Sequence, residues 1–159
     1  MAPQITLTVC YTHHQLDSFV TTIYEVLSQK PLILFLSGPL GAGKTTFSQA
    51  WLRCCGVQGA IPSPTYTIVE SYQTQYGTWH HFDCYRLDSA QMLVDIGIED
   101  YLDGNIICEW PNQGMSAIVT PTLILEFDFT EVQDSRLIHL TVDERVGDTL
   151  SQALQKYIV

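Results

Sequence analysis

The sequence predicts an α/β fold: a three-layer sandwich around a mixed parallel and antiparallel sheet, in one domain spanning residues 1–159. Three observations carry this reading. The segment "PLILFL" (31–36) is a continuous apolar run, the pattern of a strand covered on both faces. It passes directly into a glycine-rich turn and then into a helical pattern. Pairs of extended segments joined by short polar turns come after it, which adds antiparallel hairpins at the side of a parallel core. At 159 residues, with 46% hydrophobic residues, the chain is long enough for one well-cored domain and too short for two.

Along the chain, "QITLTV" (4–9) alternates as a strand does, and "QLDSFVTTIYEVLSQ" (15–29) sets Leu16, Phe19, Val20, Ile23 and Leu27 on one helical face. After the glycine-rich turn, "KTTFSQAWLRCC" (44–55) spaces Phe47, Ala50, Trp51 and Cys54 for burial, with Gly56 as its stop. The loop "VQGAIPSP" leads to "TYTIVESYQT" (65–74) and "TWHHFDCYRL" (78–87), two extended segments split by "QYG". A helical pair, "SAQMLVDIG" and "IEDYL", precedes the strand "NIICEW" (105–110), which stops at Pro111. "TLILEFDF" (122–129) and "RLIHLTV" (136–142) flank the turn "TEVQDS", and "DTLSQALQKYI" (148–158) reads as a closing helix.

Seven Lys+Arg against seventeen Asp+Glu give a formal net charge of −10, the wrong sign for a surface that tracks nucleic-acid phosphates. Direct, tight nucleic-acid binding is not expected. Cys10, Cys54, Cys55, Cys84 and Cys108 show no CxxC and no zinc-type spacing, so buried reduced thiols are expected. "MAPQITLTVC" has no basic residue ahead of an apolar run, and "PLILFL" is too short to span a bilayer. The expected location is the cytoplasm, with no membrane association.

Gly38, Gly43, Lys44 and Thr45 satisfy GxxxxGK[ST] in "GPLGAGKT" (38–45), with Leu40, Gly41 and Ala42 completing the loop. Glycines let the backbone wrap a phosphate, with amide N–H groups pointing at the anion. Lys44 then reaches the β- and γ-phosphates, Thr45 ligates Mg²⁺ from the following helix, and Thr46 adds a donor for the α-phosphate. A chance glycine-rich turn would lack the strand before it and the helix after it. A P-loop NTPase-like fold that binds a nucleoside triphosphate is therefore expected. No NKxD-like segment for guanine is present, which favours ATP over GTP.

Hydrolysis also needs the metal held and the attacking group oriented. Glu109 ends "NIICEW" and Asp83 lies in "HHFDCYRL"; each suits Mg²⁺ binding, directly or through water, or orientation of the attacking water. A solvent-facing position explains either carboxylate as well. Alternation sends His80 and His81 to opposite faces, one as a polar core residue and neither as a metal site. Thr65 in "SPTYT" lies where nucleotide-sensing segments occur, or at a plain loop-to-strand junction. Trp110 either stacks on the base, caps the site, or is a core aromatic.

Arginines are only Arg53, Arg86, Arg136 and Arg145, too few for a small-metabolite kinase that grips two phosphorylated substrates and closes a lid. Arg86, on the Asp83 strand, is the internal candidate for a transition-state arginine, or else forms a structural ion pair. A site without such an arginine hydrolyses slowly and leaves room for a partner to complete it.

The set "GPLGAGKTTF", "SPTYTIVESY", "HFDCYRL", "GIEDYL" and "ICEWP", in this order, closely resembles the TsaE (YjeE) family, from about Lys30 to Pro111. These are ATPases of bacterial tRNA threonylcarbamoyladenosine (t6A) biosynthesis. The resemblance implies Mg²⁺-dependent ATP binding, weak intrinsic hydrolysis to ADP, and association with the TsaD and TsaB proteins, so that tRNA is met only through that complex. It assigns Lys44, Thr45 and Thr46 to the P-loop, Thr65 to a switch-like threonine, Asp83 to the "HFD" acid, and Glu109 with Trp110 to the "EWP" element. Cys84 and Cys108 stand where an aliphatic side chain is the family expectation. A small-metabolite kinase and a nucleotide sensor that does not hydrolyse remain the competing readings.

Overall fold

The computed structural model describes residues 2–27 and 31–159. Among the described residues seven strands form one sheet: β1 (Gln4–Thr12), β2 (Ile33–Ser37), β3 (Val69–Thr74), β4 (Gly77–Asp83), β5 (Asn105–Glu109), β6 (Leu123–Phe129) and β7 (Ser135–Asp143). Their spatial order is β1-β7-β6-β2-β5-β4-β3. β2 lies at the centre, parallel to both β5 and β6, and β4 extends the parallel set beside β5. β3 and β7 are antiparallel to β4 and β6, as the hairpin signals predict, and β1 adds to the edge antiparallel to β7.

The continuous apolar run of β2 has the predicted cause. Leu34 and Leu36 face a core built with α1 (Leu16–Val26), α2 (Lys44–Cys54) and α4 (Glu144–Ala153), while Ile33 and Phe35 face a second core. That second core includes Leu93 of α3 (Ala90–Asp95), Ile98 of a 3₁₀ turn (Ile98–Tyr101) and Met115. Two helical layers therefore enclose the parallel strands. Phe19, Phe47 and Trp51 occupy the larger core, and Phe47 joins it to the sheet through Phe127, with ring centroids 5.6 Å apart.

Local departures from the sequence reading have physical causes. Residues 65–68 are read as extended, but they form a turn in which Ile68 donates its N–H to the Pro64 carbonyl at 2.7 Å and takes φ 71°. β-branched residues favour strands only where the ladder continues, and here a side-chain bond from Thr65 to β4 overrides that preference. Residues 84–87 likewise turn after β4, with Leu87 donating to the Cys84 carbonyl. The closing helix begins earlier than predicted, at Glu144, because Asp143 caps it by accepting from the Arg145 N–H. Residues 28 and 29 of the predicted helix, and Lys30 where the family resemblance begins, lie outside the described residues.

Parallel strands point their C-terminal ends to one edge, and ligands of open α/β sheets bind there. β2 delivers the glycine-rich loop to that edge, and its neighbours β5 and β4 end there on Glu109 and Asp83, which are paired in register.

Candidate active site

The loop between β2 and α2 depends on two glycines for different reasons. Gly43 precedes α2 at φ 106°, a left-handed value that L side chains resist. Gly38 takes φ 131° and also packs against the chain, since a Cβ there would overlap the Phe127 carbonyl. Gly38→Ala is accordingly expected to cost about 2 kcal/mol or more, a fall of roughly 4–8 °C in Tm by differential scanning calorimetry. An unchanged Tm would show that the loop relaxes freely around this position.

Lys44 opens α2 and curls back over its own loop, donating from Nζ to the carbonyls of Gly38 at 2.6 Å and Pro39 at 2.9 Å. Its ammonium sits 4.2 Å from the centre of the Trp110 ring. Burial pushes its pKa below the usual lysine value, while the Glu109 and Asp83 carboxylates oppose that shift. Trp110 holds φ 57° immediately before Pro111, where extended backbone is preferred. Its ring contacts Tyr85, with centroids 4.9 Å apart, and so covers the lysine end of the site.

Neither carboxylate is a loose solvent-facing group. Glu109 is 2% exposed and accepts from Thr45 Oγ1 at 2.8 Å, Ser48 Oγ at 3.2 Å and His81 Nε2 at 2.8 Å. Asp83 is 5% exposed and accepts from Thr65 Oγ1 at 2.9 Å and the Tyr85 N–H at 3.0 Å. The P-loop threonine is thus joined to one acid, and the threonine of "SPTYT" to the other. His81 is a buried core residue, as one of the histidine pair was expected to be, but it also supports Glu109.

These groups border one cavity of about 320 Å³. Leu40, Gly41, Gly43, Lys44, Thr45 and Thr46 form its loop side, opposite Thr65, Asp83, Glu109 and Trp110. Gly38 and Ala42 lie behind the lining, where the Gly38 carbonyl receives Lys44 and the Ala42 carbonyl receives Arg136. Tyr85 and Arg136 also border the cavity, although the sequence reading assigned neither. The arginine expectation is corrected: Arg86 stacks 5.1 Å from the Tyr66 ring beside a separate cavity, forms no ion pair among the described residues, and is absent from the lining. No local motif marks Arg136; the β6–β7 hairpin carries it to the loop.

The donor set has a definite chemical preference. Among the described residues no group of three or more His, Cys, Asp or Glu side chains is placed to hold a metal ion. What the cavity offers is a threonine hydroxyl and two carboxylates, all hard oxygen donors. That suits Mg²⁺, which keeps several waters and takes one or two carboxylates plus ligand phosphates, and it does not suit zinc.

The family model for threonylcarbamoyl adenosine biosynthesis protein TsaE matches residues 10–138. This chain belongs to the TsaE family. The match continues past Pro111, so the family likeness includes the strands that carry Phe127 and Arg136. A TsaE of Haemophilus influenzae is 34% identical over 85% of this chain and 85% of its own length. A TsaE of Rickettsia bellii is 29% identical over 84% of this chain and 93% of its own length. A crystal structure of YdiB from Bacillus subtilis superimposes with a TM-score of 0.70, covering 98% of this chain and 97% of that one at 21% identity. The α/β fold with a mixed sheet is therefore shared with YdiB along nearly the whole chain, and the names of the TsaE relatives place the family in tRNA t6A biosynthesis. Among the described residues no helix is long and apolar enough to cross a membrane.

Proposed function

We propose that this TsaE-family chain binds Mg-ATP in the 320 Å³ cavity and hydrolyses it slowly, acting in t6A synthesis on a complex of the TsaD and TsaB proteins. The observation that carries the reading is the bond from Thr45 Oγ1 to Glu109, which sets the P-loop hydroxyl and a strand-end carboxylate side by side next to Lys44. Such a pairing of P-loop hydroxyl and strand acid is what holds Mg²⁺ in P-loop enzymes.

The residues divide the work by position. The amides of 41–46 wrap the phosphates, and Lys44 exchanges its carbonyl partners for phosphate oxygens of higher charge. Thr45 and Glu109 are the residues that would hold Mg²⁺, and the ion would supply charge neutralisation for the phosphates. Asp83, fixed by Thr65 and the Tyr85 amide, orients a water toward the γ-phosphorus. The water oxygen forms the new P–O bond, the β,γ-bridging oxygen leaves with ADP, and the water's proton passes to a carboxylate or to solvent.

Among the described residues, Lys44 and Arg136 are the basic residues that border the cavity, and Arg136 is tied to the Ala42 carbonyl. A transition-state arginine is worth roughly 10³- to 10⁵-fold in phosphoryl transfer, so a chain that lacks one at the γ-phosphate turns over slowly. The partner complex is the natural source of the missing group. The acidic charge of −10 fits a subunit that acts on proteins and leaves tRNA contact to them.

Phosphate release from Mg-ATP, measured for the chain alone and with TsaD, TsaB and tRNA, tests the proposal. Slow release alone and strong stimulation by the complex is the expected result. ATP binding with the same slow rate in both conditions would replace the ATPase by a nucleotide sensor. Transfer of phosphate to a small acceptor would make the protein a kinase.

A further inference from the structure

His81 lies behind Glu109 with no exposed surface, and its Nδ1 is buried without a hydrogen-bond partner among the described residues. A dry core tolerates such a nitrogen only at a cost that an aliphatic or aromatic side chain would avoid. Packing therefore does not account for the imidazole. Its other nitrogen does, because Nε2 meets Glu109 Oε1 at 2.8 Å. We propose that His81 is a positioning residue that makes the phosphate cavity select magnesium over calcium, by fixing Glu109 so that a single oxygen, Oε2, is offered to the cation. The inference rests on the Mg-ATP reading above.

Strand register explains the contact. His81 pairs with Ile107 across the β4–β5 ladder, and Glu109 stands two residues further along β5, on the same face. The imidazole thus reaches the carboxylate diagonally between two paired strands, with no loop involved. An ionised carboxylate accepts and cannot donate, so this contact fixes a proton on Nε2.

The two oxygens of Glu109 have different surroundings. Oε1 takes the His81 N–H and, at 3.2 Å, the Ser48 hydroxyl, whereas Oε2 takes the Thr45 hydroxyl at 2.8 Å. Ser48 also faces the Lys44 carbonyl at 3.0 Å, and its one proton is shared between these acceptors. His81 is the firmer donor at Oε1. With that oxygen tied to strand and helix, the carboxylate is not free to swing both oxygens toward one ion.

That restriction separates two cations of equal charge. Calcium gathers about six to eight oxygens in a flexible shell and commonly takes both oxygens of a carboxylate. Magnesium is smaller, demands octahedral geometry and keeps several waters, so one carboxylate oxygen is enough. A Glu109 limited to Oε2 meets the second demand and not the first. Partners that orient a metal-holding side chain in this way commonly change metal affinity about ten-fold or more when removed.

Calorimetric titration of the whole chain with adenylyl imidodiphosphate, an ATP analogue that is not hydrolysed, tests this without turnover when run in excess magnesium, in excess calcium and in chelator. His81→Leu, which removes the donor, is expected to weaken binding about ten-fold in magnesium, less than about three-fold in calcium, and not at all in chelator. His81→Gln places an amide nitrogen as many bonds from the backbone as Nε2, and is expected to bring the magnesium-to-calcium ratio back to within about three-fold of wild type. Equal weakening in both cations, or no recovery with glutamine, would overturn the proposal and leave His81 a packing residue. Ser48→Ala gives the same reading without disturbing the core histidine: it is expected to lower the ratio about three-fold, and an unchanged ratio would count against the lock on Oε1. A wild-type chain that binds the analogue no better in magnesium than in chelator would sink the metal reading itself. One that needs a metal but binds equally in magnesium and calcium would sink this inference alone.

Discussion

Glu109→Gln is expected to lower phosphate release from Mg-ATP by about 100-fold or more, a loss typical of removing a positioned acid–base group or a metal-holding carboxylate. The side chain accepts from Thr45, Ser48 and His81 at once, so three donors converge on two oxygens. An amide is nearly the same shape but replaces one acceptor with an NH₂, which then faces a donor. Either the Thr45 side, at Oε2, or the side shared by Ser48 and His81, at Oε1, loses its partner. ATP affinity measured with excess Mg²⁺ is expected to stay within about ten-fold, because the loop amides and Lys44 supply most of the phosphate contacts. Turnover within a factor of two of wild type in the presence of the partner complex would remove Glu109 from the catalytic groups. Asp83→Asn run in parallel separates the two acids, since it disturbs the Thr65 bond and leaves the Thr45 bond intact.

Trp51→Ala is expected to have the largest effect on stability, about 3–5 kcal/mol, which is about a fifth or more of a typical domain's margin. Trp51 has no exposed surface and touches three rings, with centroids 5.6 Å away at Tyr24, 6.1 Å at Phe47 and 5.8 Å at Trp79. It binds α2 to α1 and to the sheet, so a cavity there loosens the helix that begins with Lys44 and Thr45. Chemical denaturation gives the stability, and nucleotide titration at low temperature shows whether the loop is carried along. Trp51→Phe provides the contrast. The Trp51 indole N–H has no hydrogen-bond partner among the described residues, so phenylalanine removes volume without stranding a partner. Its cost is expected to be less than half that of alanine, by the same denaturation experiment. Equal costs would mean that the indole makes a polar contribution that its contacts do not reveal.

The chain displays its architecture openly because its signals are local. A continuous apolar run, a glycine-rich turn and an amphipathic helix are neighbours in sequence, and their physics acts over a few residues. Backbone wrapping around an anion requires those glycines wherever the loop occurs, so Gly38 and Gly43 could be read with their reasons attached. Glu109 was legible as a strand-end acid, whereas Asp83 was read inside the extended segment 78–87 and becomes a strand end only because the chain turns after it.

What the sequence could not convey is which distant groups meet. Ser48 and His81 converge on Glu109 from a helix and from a neighbouring strand, because parallel pairing aligns β4 and β5 while α2 crosses above them. Arg136 sits far along the chain from Ala42, and the β6–β7 hairpin brings its guanidinium to the loop carbonyl. Arg86 lies close to Asp83 in sequence, yet the turn after β4 sends it to Tyr66. Proximity along the chain favoured one arginine, whereas strand register selected the other. The sequence by itself determined the sheet's parallel centre and the glycine-rich loop between strand and helix, since each arises from residue type at short spacing. Tertiary structure alone decided the hydrogen-bond partners, the burial of the two acids and the choice of arginine, because these depend on side chains that only strand pairing and helix packing bring within reach.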